Sequence, residues 1–187
     1  MDITCEYDAI ILRLLAEETA RLLAMLGGRI RCRPGCDDCC RDFSVLPLEA
    51  ARIDLASAGL PLETQIAIRA NAAKPGDHCP FLIDHLCAIY DARPLICRTH
   101  GLPIAHIDPA QQTIEVSVCP LNFPPEAELP SSNGLFFLDR FNAGLLDLNS
   151  RYAATAGIEA TRRQSLRKLA SAAMINGMDR GKNGRRP

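Results

Sequence analysis

The sequence predicts a mainly α-helical fold with a small β element, three short strands, around a cysteine-rich metal centre. Three observations support this prediction. Apolar residues recur at helical spacing near both ends of the chain, β-prone segments are short and central, and eight of the nine cysteines fall between residues 32 and 119. We expect a single domain over residues 1–176, with a metal-binding core at 29–120, helical flanks at 8–27 and 135–175, and a disordered basic tail at 177–187.

Composition limits the cellular setting and the partners. The chain is 48% hydrophobic and 23% charged, and no apolar run approaches the ~20 residues that a membrane span needs. The acidic N-terminus lacks the basic region of a secretory signal, so we expect a cytoplasmic protein with reduced thiols and no membrane partner. Cysteine content is below the ~8–10% of disulfide scaffolds, which favours metal ligation.

Charge is unevenly distributed along the chain. Residues 162–187 hold eight basic residues and one acid, whereas residues 1–161 hold thirteen basic and twenty-one acidic residues. A basic tail is able to touch nucleic acid, but an acidic body repels phosphate, so we do not expect a nucleic-acid partner. The sequence leaves a protein partner open.

Helix boundaries are marked by proline and glycine. An amphipathic helix over 8–26 ends at Gly27, and a helix beginning at Pro47 ends at Gly59. Pro61 opens a helix at about 62–73. Two further helices are predicted at about 135–155 and 159–175. The two helices that follow the cysteine run, at 47–59 and about 62–73, are expected to form a structural helical hairpin.

The strand predictions fall among the central cysteines. Two β-prone runs at 80–83 and 86–90 are joined by Asp84 and His85, which indicates a hairpin with a two-residue loop. Cys87 would lie inside its second strand. A short helix after Pro94 would carry Cys97 in its first turn. Residues 113–118 alternate and predict a third strand that leads to Cys119.

The predicted metal ligands are eight cysteines: Cys32, Cys36, Cys39, Cys40, Cys79, Cys87, Cys97 and Cys119. Zinc takes four thiolates tetrahedrally, and a [4Fe–4S] cluster also takes four, so the spacing leaves zinc and an iron–sulfur cluster open. Eight thiols suit one or two centres. Adjacent side chains in an extended segment point to opposite sides, so Cys39 and Cys40 predict two neighbouring centres or a bridging thiolate. Cys5 lies outside this pattern.

Cationic and polar side chains are predicted around these thiols. A divalent ion with four thiolates carries a net charge of −2, which the guanidinium groups of Arg93 and Arg98 would offset while donating to sulfur. His100 lies three residues after Cys97, and we predict that it supports the site rather than ligating the metal. The Asp37-Asp38 pair is interpreted as a solvated turn between ligands.

The cysteine run at 32–40 resembles that of the YkgJ-type cysteine-cluster family, the CxxCxxCC domain described as chelating zinc or iron through eight cysteines. The segments Cys79-Pro80-Phe81-Leu82 and Cys87-Ala88-Ile89-Tyr90, the block from Arg93 to Arg98, and Cys119 resemble the rest of that signature. The first gap holds three residues where the family pattern has two. The resemblance implies a metal-chelating module over about residues 32–119 and includes Tyr90 among the residues around the ligands.

Three functions compete at this point. The first is a small metal-binding protein with no assigned reaction. The second is an iron–sulfur enzyme or accessory protein, because C-x3-C-x2-C is the spacing of the radical S-adenosylmethionine cluster, although such enzymes need a large barrel of alternating strands and helices. The third is zinc-dependent nucleic-acid binding. We favour the first, and enzymatic activity stays open.

Overall fold

The computed structural model describes residues 2–108 and 110–172. Its α-helices are α1 (Ile3–Tyr7), α2 (Arg13–Leu26), α3 (Pro47–Ala58), α4 (Leu62–Ala73), α5 (Leu95–Thr99), α6 (Asp139–Ala156) and α7 (Leu166–Ala172). Its strands are β1 (Ser44–Val45), β2 (Leu82–Ile83), β3 (Leu86–Cys87), β4 (Ile104–Asp108), β5 (Thr113–Ser117), β6 (Phe136–Phe137) and β7 (Gln164–Ser165). The predicted tail at 177–187 lies outside the described residues.

The mainly helical fold class is confirmed, with small sheets of two or three short strands. More strands are present than the three predicted, because β1, β4, β6 and β7 are too short or too weakly patterned to identify. The contacts within the chain group its residues into two compact units. The first consists of residues 2–33 with 95–108 and 110–152, and the second of 34–94 with 153–172.

The first unit combines the N-terminal helix with a three-stranded sheet. Asp2 caps α1, its Oδ1 accepting a hydrogen bond from the Thr4 amide at 3.1 Å, so helical structure begins at Ile3 rather than at the predicted residue 8. A π-helical turn at Asp8–Leu12 connects α1 to α2, which ends at Gly27 as predicted. The sheet order is β5–β4–β6, with β4 and β5 antiparallel and β4 and β6 parallel.

Aromatic and aliphatic side chains of this sheet and of α6 form the core of the first unit. Phe136 of β6 stacks on Phe141 of α6 with ring centroids 4.8 Å apart. On the N-terminal helix, a single stripe is buried, comprising Ile11, Leu15, Leu22 and Leu26. The apolar residues Ile10, Leu14 and Met25 also recur at helical spacing, but they are exposed. The buried stripe is therefore narrower than the periodicity predicts.

The second unit contains the two helices predicted after the cysteine run, and both pack on α7. Helices α3 and α4 begin and end where proline and glycine predict, and Leu48 and Ile53 are buried, whereas Leu55 is exposed. Strand β1 pairs antiparallel with β7, Ser44 opposite Ser165, and α7 packs on α3 and α4. Residues 164–165 are extended, so α7 starts at Leu166 and not near the predicted residue 159.

Candidate metal centre

Five of the eight predicted ligands lie in the second unit, on three segments that hydrogen bonds hold together. Arg41 and His78 form an antiparallel β-bridge, flanked by bonds from the Asp42 amide to the Asp77 carbonyl at 2.6 Å and from the Cys79 amide to the Cys40 carbonyl at 3.2 Å. In an antiparallel bridge the residues on either side are also opposite each other. Cys40 and Cys79, separated by 38 intervening residues, are therefore cross-strand neighbours.

The cysteine doublet lies in a turn. The Cys40 amide donates to the Asp37 carbonyl at 2.8 Å, and residues 38–39 are turn residues. The Cys39 and Cys40 side chains share a hydrogen bond. The doublet is therefore not extended, and the prediction that its thiols serve two neighbouring centres or a bridge stays a prediction.

The hairpin brings Cys87 to the same region. Asp84 and His85 have φ of 47° and 63°, which is the left-handed conformation that a two-residue hairpin loop requires. Cys87 lies opposite Leu82, and the Leu82 amide donates to the Cys79 carbonyl at 3.2 Å. His85 Nδ1 lies 2.9 Å from Asp37 Oδ2 and connects the hairpin loop to the Cys36–Cys40 segment. The hairpin prediction is confirmed, although its strands are shorter than expected.

The other three predicted ligands, Cys32, Cys97 and Cys119, lie in the first unit. Cys97 is the third residue of α5, in the first turn as predicted. Cys119 begins a turn in which its carbonyl accepts from the amides of Asn122 at 3.0 Å and Phe123 at 2.8 Å. Asn122 Nδ2 in turn lies 3.5 Å from Cys32 Sγ, so the Cys119 turn supplies the polar neighbour of Cys32.

The sulfur of Cys32 lies in a cradle formed by Gly101 and Asn122. A Cβ atom at Gly101 would lie 2.4 Å from Cys32 Sγ, and Gly101 has φ of +92°. The buried Asn122 amide also donates to the Gly101 carbonyl at 2.7 Å and accepts from the Arg31 amide at 2.9 Å. Only glycine allows the approach of this backbone to the sulfur.

Comparison with protein-family models gives a match over residues 31–120 to the CxxCxxCC family, described as a "putative zinc- or iron-chelating domain". The match covers slightly less than half of the chain. It confirms the resemblance found in the sequence. The matched segment contains all eight predicted ligands and excludes Cys5. Comparisons with curated proteins and with solved structures gave no match.

Within residues 2–108 and 110–172, no helix is both long and apolar enough to cross a membrane. In the same residues no group of three or more His, Cys, Asp and Glu side chains is arranged to hold a metal ion. None of the nine cysteines forms a disulfide. In the second unit the Cys39 and Cys40 side chains share a hydrogen bond, and the backbone bridge places Cys40 opposite Cys79.

The electrostatics of these pairs suit a thiophilic cation. The hydrogen bond with Cys40, and then burial, raise the pKa of Cys39. Burial raises the pKa of Cys79 to about 12, and the nearby charge of Cys87 adds to that rise. A thiol whose pKa is raised keeps its proton unless positive charge replaces it, and a metal ion supplies that charge while its ligands are deprotonated. The donor set fits the zinc- or iron-chelating chemistry of the family.

Two of the residues predicted around the ligands lie together. Arg93 Cζ is 3.6 Å from the centroid of the Tyr90 ring, and Arg93 Nε donates to the Tyr90 carbonyl at 3.1 Å. The positive charge of Arg93 acts on Cys39 and lowers its pKa, against the larger effects that raise it. Arg93 thus lies near the doublet, as expected of a residue that offsets thiolate charge.

The remaining two predicted residues, Arg98 and His100, belong to the first unit. Arg98 lies in α5, one residue after Cys97. Burial lowers the pKa of His100, so the imidazole is held in its neutral form. The roles of the eight cysteines and of Tyr90, Arg93, Arg98 and His100 stay predictions. The structure gives their positions in the fold.

Sequence reasoning missed three residues of the site, namely Gly101, Asn122 and Arg167. Gly101 and Asn122 follow Cys97 and Cys119 closely, and a glycine or amide just after a ligand is a signal that could have been used. Arg167 contacts Asp42, 125 residues away in sequence, and no local pattern indicates that contact.

Proposed function

We propose that this protein holds zinc or an iron–sulfur cluster through its eight predicted cysteines, with Cys39, Cys40, Cys79 and Cys87 forming one four-thiolate centre in the second unit. The observation that supports this best is the bridge at Arg41 and His78, which sets Cys40 opposite Cys79. Four thiolates are a complete ligand set for either metal group.

The ligand set of this centre follows from the linked thiol pairs. Cys39 joins Cys40 through a side-chain hydrogen bond, Cys40 faces Cys79 across the bridge, and Cys87 acts on Cys79 electrostatically. Cys36 precedes the turn that contains the doublet. We assign it, with Cys32, Cys97 and Cys119, to the remaining ligands on the basis of the family match.

A function based on thiolate ligands implies a reducing compartment. The cytoplasm keeps thiols reduced, so we place the protein there. The metal then stabilises the loops that hold the ligands, since binding free energy of a structural zinc is about 10–16 kcal/mol in small metal domains. We assign the centre a binding and structural role.

Single substitutions test the ligand set. Cys79→Ser should weaken metal binding roughly 100-fold, because one ligand of four contributes about 3 kcal/mol of the ~10–16 kcal/mol above. Cys5→Ser is the matched control, since Cys5 is exposed on α1 and outside the matched segment. Metal per chain should be measured by elemental analysis, with a visible absorption spectrum, on protein purified without oxygen.

The two metals give different results in this experiment. A coloured protein with iron and inorganic sulfide identifies an iron–sulfur cluster, and a colourless protein with zinc identifies a zinc site. Purified protein with neither metal, or a Cys79→Ser variant that retains the affinity of Cys5→Ser, would rule out the proposed centre.

A further inference from the structure

The guanidinium group of Arg167, in α7, binds a run of backbone carbonyls that leads to Cys79. Arg167 lies outside the matched segment 31–120. Its Nη1 donates to the carbonyls of Asn71 at 3.3 Å, Ala72 at 2.7 Å and Lys74 at 2.7 Å, and its Nη2 to those of Gly76 at 2.9 Å and His78 at 3.1 Å. One side chain thus contacts five carbonyls on a single stretch of chain, and the two hydrogens of Nη1 are shared among three of them.

These carbonyls trace the path from the end of α4 to the residue before Cys79. Helix α4 ends at Ala73, and the last carbonyls of a helix have no partner within the helix. A cation at that position satisfies them and interacts favourably with the helix dipole. Nη2 also donates to the His78 carbonyl, so the guanidinium group holds residues 74–78 in place. These residues lie outside the helices and strands.

Arg167 also binds the segment on the other side of the Arg41–His78 bridge, through Asp42. Its backbone amide donates to Asp42 Oδ1 at 2.8 Å, and its Nε lies 3.5 Å from Asp42 Oδ2. Asp42 follows Cys40 by two residues, and its own amide donates to Asp77. The Arg167 and Asp42 side chains are only 23% and 19% exposed, so water competes weakly for these bonds.

We propose that Arg167 is a positioning residue for the thiol cluster, because it holds the Cys40 and Cys79 segments against each other from outside the cysteine-rich domain. This inference rests on the proposed four-thiolate centre. Its chemistry requires arginine: a planar fork with five N–H donors can serve several carbonyls and a carboxylate at once, whereas the lysine ammonium is a single compact charge with three donors.

A neighbouring arginine provides a matched control. Arg163 belongs to the same C-terminal segment, and it also binds backbone, with Nη2 donating to the Ser44 carbonyl at 2.6 Å and Nε to Ser44 Oγ at 3.1 Å. Its contacts fall on β1 and not on the bridge. Arg163→Gln therefore removes an equal charge and a similar set of donors without touching the Cys40 and Cys79 segments.

The test compares Zn²⁺ affinity of Arg167→Lys and Arg167→Gln with that of Arg163→Gln, by competition with a chromophoric chelator. We expect both Arg167 variants to bind Zn²⁺ about 10- to 100-fold more weakly, as is typical when residues that orient ligands are removed. Arg163→Gln should stay within about twofold of the unsubstituted protein. Equal affinities of the Arg167 and Arg163 variants would overturn the inference.

A second measurement needs no metal. In metal-free protein, hydrogen exchange of the Cys79 amide should be about tenfold faster in Arg167→Lys than in Arg163→Gln, while the amides of β5 in the first unit exchange equally. If Arg167→Gln does not fold, Asp42→Asn takes its place, since it weakens the bond to Arg167 and leaves the five carbonyl contacts. We expect faster Cys79 exchange there too, and no change in either variant would overturn the inference.

These readouts separate the two proposals. Zn²⁺ affinity in Cys79→Ser equal to that of the unsubstituted protein rules out the four-thiolate centre, whatever the Arg167 variants do. Unchanged Cys79 exchange in Arg167→Lys rules out the positioning role, even where Cys79→Ser confirms the centre.

Discussion

The thiols of the two units are surrounded differently. In the second unit sulfur faces sulfur: Cys39 shares a hydrogen bond with Cys40, and the charge of Cys87 acts on Cys79. In the first unit Cys32 faces the protein, with Asn122 Nδ2 at 3.5 Å and the Gly101 backbone in contact. Neighbouring thiols need a cation before they can all be deprotonated. A sulfur beside an amide donor is different, because the donor already stabilises its thiolate form.

The contacts that hold the two sets of thiols also differ. The Cys32 cradle consists of one glycine backbone and one asparagine side chain, and Asn122 lies 90 residues after Cys32 in sequence. The second-unit cluster depends on Arg167, which gathers carbonyls and Asp42 from segments far apart in sequence. We therefore expect the second unit to respond more strongly to metal loss and to distant substitutions.

Metal removal should produce the largest difference between the two regions. After chelation, the amides of Asp42 and Cys79 should exchange roughly 100-fold faster, equivalent to about 3 kcal/mol of local opening, because the metal no longer links the segments that carry the thiols. The Asn122 amide, bonded to the Cys119 carbonyl, should change less than about tenfold. Hydrogen exchange by mass spectrometry or NMR measures both, and equal increases in the two units would contradict the comparison.

Substitution of Gly101 tests the cradle in the first unit. Gly101→Ala should lower the free energy of unfolding of the metal-free protein by about 2–3 kcal/mol, since the new Cβ would lie 2.4 Å from Cys32 Sγ in a left-handed backbone conformation. Gly35→Ala is the control for the backbone effect, because Gly35 has φ of +89° and nothing within 4 Å of its Cβ position. Urea unfolding measures both variants.

A double-mutant cycle isolates the contact with sulfur. Adding Cys32→Ala removes Sγ. In that background, Gly101→Ala should lower the free energy of unfolding by no more than Gly35→Ala does. If the cost is the same with and without Sγ, the close approach of Gly101 to Cys32 is not what requires glycine at this position.

The smallest expected effect is a pH dependence in the first unit. Burial lowers the pKa of His100, so the unfolded state binds a proton more readily than the folded state just below pH 6.5. The stabilisation is present above that pH and is lost as the pH falls through the folded pKa. Because the ring is partly exposed, we expect a loss of less than about 1 kcal/mol between pH 7 and pH 5.

Urea unfolding at the two pH values measures this loss. His100→Gln should reduce the pH dependence, whereas His106→Gln, which removes an exposed imidazole on β4, serves as the matched control. The same pH dependence in both variants would show that His100 is not its source.

Local sequence signals identified most of the elements that carry ligands. Pro47, Gly59 and Pro61 set the limits of α3 and α4, and the Asp84-His85 loop was identified despite lacking the usual asparagine and glycine. Strands β1, β4, β6 and β7 were not among the three predicted. The two-residue β6 and β7 exist because distant partners bond them, Phe136 opposite Ile104 and Ser165 opposite Ser44, and no local pattern predicts such pairs.

By itself the sequence determined the kind of chemistry, because eight cysteines at these spacings and the Arg93–Arg98 block are local features of one segment. It also indicated the helices and the hairpin that carry the ligands, since proline, glycine and apolar periodicity act over a few residues. Only the tertiary structure decided which thiols meet. Cys40 faces Cys79 because the β-bridge pairs their segments, and Arg167 secures both segments through bonds to Asp42 and to five carbonyls. Such contacts depend on chain segments tens of residues apart reaching the same place.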